Sequence, residues 1–130
     1  LSSVMLQRIH MLVQELGGQL VSRFSEEVTH LVVLTTGKKS QCTRRTLKYN
    51  QAVLAGLWIL NYDWILTSFH NKHWVDENQF LIRGDNTYAK GVPQRARKAI
   101  LAGSPRLFDG LNFFFCGSFK ALEKDVLRKL

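Results

Sequence analysis

Residues 29–34, THLVVL, form a nearly continuous apolar run between polar stretches. A strand with one wet face would alternate polar and apolar side chains. This run does not, and its pattern is that of a strand in a sheet covered on both faces. A second run, LWILN at 57–61, has the same character. Residues 19–24, QLVSRF, read as a further short strand.

Helical spacing fills the intervals. In residues 3–16, SVMLQRIHMLVQEL, Leu6, Ile9, Val13 and Leu16 recur at helical spacing, and Gly17-Gly18 stops the run. A polar loop is expected over 35–43, and a second helix over 44–55 that ends at Gly56. Asp63 is placed to cap a third helix over 64–72, and 76–82 reads as an irregular arm. Helix, strand, strand, helix, strand, helix is an α/β order with a mainly parallel sheet. The opening helix lacks the strand that normally precedes it, so one is expected ahead of Leu1. Three segments follow from this pass: a first unit at 1–82, a basic linker at 83–104 and the start of a second unit at 105–130. Within the linker, QRARKAIL reads as a short helix. In the second unit, Leu111–Cys116 reads as a strand and Ala121–Leu130 as a helix. The three phenylalanines at 113–115 would need cover that an incomplete unit does not supply.

Composition narrows the function. Apolar residues make up 45% of the chain, enough for a packed core. No apolar run nears the ~20 residues that span a bilayer, so no membrane role is expected. Cys42 and Cys116 are too few and too far apart for a disulfide framework or a zinc site, and they read as reduced thiols. The net charge of +8 favours polyanionic partners. It is clustered: Lys38, Lys39, Arg44, Arg45 and Lys48 occur without an intervening acid, and Lys90, Arg95, Arg97, Lys98 and Arg106 form a second group.

Neither a phosphate-binding glycine loop nor a nucleophile or metalloprotease motif occurs, and no cofactor is expected. His70 and His73 stand at i, i+3 without a third ligand placed beside them, and read as solvated helix-end residues. His30, entering a buried strand, reads as a structural hydrogen-bonder. Arg83-Gly84-Asp85 reads as a turn. The chemistry that remains is the head of the second helix. Arg45, Thr46 and Lys48 sit where a helix offers unbonded N–H groups and about half a positive charge. A hydroxyl and an ammonium added there suit a phosphoserine, which carries about −1.5 to −2 charge. A plain solvated basic helix start is the other reading of the same residues.

VTHLVV, RRTLKY, GLWILNYDWI and the later RLFDGLNFFFCGSFK, in this order and with this linker, resemble tandem BRCT repeats. The resemblance covers nearly the whole chain. It implies a four-stranded parallel sheet flanked by helices, with Trp64 as a core residue of the third helix. It also implies two repeats packed head to tail, reading a phosphoserine peptide at their junction. Thr46 and Lys48 would then bind the phosphate. Arg45 would hold the peptide backbone near the third residue after the phosphoserine. The family's further phosphate ligands, a Ser-Gly pair after the first strand, would lie upstream of Leu1. Asn50 departs from the pattern, because an aromatic residue lines the third-residue pocket there, so a phenylalanine preference does not carry over.

The resemblance further implies a nuclear protein of the DNA-damage response, non-catalytic in this module, whose parent works in a RING heterodimer as a ubiquitin ligase. Its partners would be phosphorylated proteins. The alternative is a nucleosome- or DNA-binding module that uses Lys38, Lys39, Arg95, Arg97 and Lys98.

Overall fold

The computed structural model of this chain describes residues 3–35, 42–85 and 91–118. Its centre is a parallel pair of strands, β1 (His30–Val33) and β3 (Trp58–Asn61), with His30 opposite Trp58 and Val33 opposite Asn61. Parallel neighbours need a long crossover. Here it contains a short strand, β2 (Cys42–Thr43), and helix α2 (Leu47–Leu54). A second parallel pair joins β2 to β4 (Gly84–Asp85). Helix α1 (Ser3–Glu15) precedes the sheet, α3 (Asp63–Asn71) follows β3, and α4 (Val92–Leu101) follows β4.

Consecutive residues of β3 point to opposite faces, and each face is covered. Leu60 joins Ile9, Leu12 and Val13 of α1 with Trp64 and Ile65 of α3 in one buried cluster. Ile59 joins Tyr49 and Ala52 of α2 with Ile82 in another. Ile59 and Leu60 are 1% and 0% exposed, so neither face is wet. Burying one such side chain stabilises the fold by about 1.5–3 kcal/mol. β3 thus has its two expected covered faces, while β1 is half-buried throughout, with Val32 packed on the first cluster, Leu31 and Val33 on the second, and Leu34 beyond them exposed.

His30 is a structural residue, as its position predicts. Its ring stacks on Trp64 at 5.0 Å, and Trp64 stacks on Trp74 at 4.7 Å. Its Nδ1 lies 2.7 Å from the Thr29 hydroxyl and its Nε2 3.3 Å from Glu77. The Trp64 indole N–H donates to the Val75 carbonyl at 2.9 Å. Trp64 is therefore the core tryptophan that the resemblance implies.

Several local expectations are corrected. Residues 19–24 form no strand, and most of them are exposed. Too few residues separate Phe24 from Thr29 for a crossover between parallel strands. Thr43, assigned to a loop, lies in β2. The second helix starts at Leu47, three residues later than expected, because Thr46 is extended and caps it. Asp63 does not cap α3. It is the first helical residue, its N–H taken by Asn61 Oδ1 at 2.9 Å, and its carboxylate faces the positive end of the helix dipole.

Gly84 and Asp85 are strand, not turn. The arm holds a short 3₁₀ turn at Glu77–Phe80, and Ile82 N–H then donates to the Ile59 carbonyl. Residues 111–116 are irregular, and four of the apolar residues there and just before, Leu107, Leu111, Phe113 and Phe114, are at least half exposed. The helix expected over 121–130 lies outside the described residues. Among the described residues no helix is long and apolar enough to cross a membrane.

Candidate functional site

Thr46 opens α2 as its N-cap. Its backbone is extended, with φ −119° and ψ 166°, and its hydroxyl accepts the Tyr49 N–H at 3.2 Å. Its carbonyl accepts the Asn50 N–H at 3.0 Å. The N–H groups of Leu47 and Lys48 lie in the first turn, where no carbonyl of the helix can reach them. The Thr46 hydroxyl keeps its own hydrogen for donation, since an N-cap uses only an oxygen lone pair. The exposed Lys48 extends its ammonium to the Ser22 carbonyl, 3.2 Å away in the segment between α1 and β1. Thr46 is therefore the N-cap and Lys48 the second residue of one helix start.

Arg45 is placed by the second strand pair. Thr43 of β2 stands opposite Asp85 of β4. Arg45, just beyond Thr43, turns its guanidinium onto that carboxylate. Nε donates to Oδ2 and Nη2 to Oδ1, both at 3.1 Å. The Asp85 side chain is 9% exposed and that of Arg45 38%, so the acid is the buried member and the base the outward one. A two-pronged contact fixes the plane of the guanidinium as well as its position.

The other predicted residues fall as follows. Asn50 is exposed on α2. Arg95 and Lys98 are exposed on α4. Arg97 is not simply a surface cation: its guanidinium lies 3.8 Å above the Trp58 ring and donates to the Gly56 carbonyl at 2.9 Å, fastening α4 to the sheet. Lys38 and Lys39 lie outside the described residues. His73 bonds the Asn71 carbonyl through Nδ1, and among the described residues no three metal-ligating side chains stand together.

Sequence reasoning missed two members of this neighbourhood. Asp85 lies 40 residues from Arg45, and nothing local links them. The Ser22 contact uses a backbone carbonyl, to which residue type gives no clue.

Residues 6–69 match the family description BRCA1 C Terminus (BRCT) domain. The chain is 38% identical over 111 residues to BRCA1-associated RING domain protein 1 of Arabidopsis thaliana, covering 85% of this chain and 15% of that protein. It is 35% identical over 117 residues to Protein BREAST CANCER SUSCEPTIBILITY 1 homolog of the same plant, covering 89% of this chain and 12% of the relative. The mouse Breast cancer type 1 susceptibility protein homolog is 30% identical over 113 residues, 85% of this chain and 6% of that protein. The chain thus spans a small part of the relatives it matches. The covered faces and these similarities agree, and residues 6–69 of the chain belong to the BRCT family of protein-interaction modules.

Proposed function

We propose that this module binds phosphoserine peptides, with the phosphate at the start of α2. The observation that carries the reading is the capped helix start itself. Thr46 can donate its hydroxyl hydrogen, the first-turn N–H groups have no helix carbonyl to bond, and Lys48 extends its ammonium from the same turn. Arg45, its plane set by Asp85, would donate to the peptide backbone three residues after the phosphoserine. Asn50 would leave the side chain at that place without an aromatic neighbour.

In this reading 1–82 is the first repeat, 83–104 the linker and 105–130 the start of the second. The parent protein would be nuclear and act in the DNA-damage response, as the BRCT resemblance implies, and would pair with a RING-bearing partner, as the name BRCA1-associated RING domain protein 1 suggests for that relative.

The test is fluorescence anisotropy with a phosphoserine peptide and its unphosphorylated twin. Lys48→Ala should weaken phosphopeptide binding by roughly 1.5–3 kcal/mol, the scale of a hydrogen bond to a charged group. Equal binding of the two peptides by the wild type, or equal affinity of wild type and mutant, would sink the reading. One observation favours a second reading. Arg95 and Lys98 are exposed at i, i+3 on α4, a spacing that puts both on one side of the helix. With Lys38 and Lys39 they would meet nucleosomal or naked DNA, and the affinity would then fall steeply with salt.

A further inference from the structure

A cleft of about 220 Å³ opens between α4, β3 and the 3₁₀ turn, and none of Arg45, Thr46 or Lys48 lines it. Trp58, Leu81 and Pro93 contribute apolar surface to it, and Leu101, 71% exposed, adds more. The volume is below the ~300–1,000 Å³ of small-molecule and cofactor sites. It matches one large side chain instead.

Charge says what else the occupant carries, and it is one-sided. Arg97 and Lys98 line the cleft, and no carboxylate does among the described residues.

We propose that this cleft docks an acidic peptide segment through one large apolar side chain. The side chain enters beside Leu81 and Leu101, and flanking carboxylates face Lys98 and the outer edge of Arg97. This site needs no phosphate and is separate from the start of α2.

The test is an NMR titration of the full 130-residue chain. The probe is an acetylated, amidated pentapeptide with a central phenylalanine flanked by aspartates. Saturable shifts are expected at the Trp58 indole, the Gln94 side-chain amide and Lys98. A peptide with serine at the centre should leave those signals in place. Lys98→Glu should weaken binding about fivefold, the combined effect of a lost exposed pair and a new repulsion. Leu101→Ser should weaken it as well. Both residues are exposed, and an unchanged amide spectrum shows that each variant is folded. The proposal is overturned by shifts centred on Thr46 and Lys48 or by no saturable shift at the cleft. Equal affinity for the serine peptide or by Lys98→Glu overturns it too.

Discussion

The Thr46 hydroxyl accepts the Tyr49 N–H and still has a hydrogen to donate, so one side chain links the stability of α2 to the proposed phosphate contact. Thr46→Ala removes both at once. It should lower stability by about 1 kcal/mol, the usual cost of losing an N-cap, and it should also weaken phosphopeptide binding. Thr46→Ser keeps the hydroxyl and should change neither by much. Urea midpoints and anisotropy on the two variants separate the effects. The neighbouring Arg45 was legible as a cation but not as half of a pair. Its carboxylate arrives from a distant strand of only two residues, too short to carry an alternating pattern. Arg45→Lys keeps the charge but cannot make the two-pronged contact. Because Arg45 is 38% exposed, solvent screening limits the loss in stability to about 1 kcal/mol or less. Any larger effect of this substitution should appear in peptide affinity, where the plane of the guanidinium matters.

Elements with many residues in register were the legible ones. α1, β3 and α3 follow from apolar spacing because each buries several residues in the two clusters, although Leu6 of the α1 stripe stays 45% exposed; β1, half-buried throughout, packs on both clusters. Residues 19–24 also look like a strand by composition, yet no strand of the sheet takes them up, and the backbone between α1 and β1 runs over the surface. α4 was legible as a helix, but its docking was not, since that depends on contacts far apart in the chain. It packs on α2 and β3 through Arg97, which reaches Trp58 and the Gly56 carbonyl. Gly56 is central to this contact. Its φ is +65°, and an added Cβ would come within 2.8 Å of Ile100 Cδ1 and 3.4 Å of the Arg97 backbone. Gly56→Ala should therefore cost roughly 1–2 kcal/mol from the left-handed backbone alone, with a further penalty from pushing α4 outward. Hydrogen exchange should quicken in α4 more than in α1. Uniform protection across both helices would contradict the docking described here.

At the scale of the whole molecule, charge and apolar surface act in opposite directions. The net charge of +8 keeps copies apart. Leu107, Leu111, Phe113 and Phe114 are at least half exposed, with Phe114 92% exposed. Exposed aromatic surface in one short stretch favours association. Phe108 and Phe113 meet edge to face at 5.3 Å, so the stretch is partly clustered on itself but not covered. The 130-residue chain should self-associate with rising concentration, as seen by sedimentation velocity. The response to salt identifies the cause. Sodium sulfate strengthens apolar burial and screens the repulsion between cations, so it should increase association. Attraction between opposite charges would instead weaken with salt. Replacing Phe113 and Phe114 by serine should return the chain to a monomer at the same concentration. The melting temperature should stay unchanged, because neither ring belongs to the two buried clusters. Association that survives both substitutions would place the contact on another surface, with Val4 and Met11 of α1, 72% and 61% exposed, as the next residues to change.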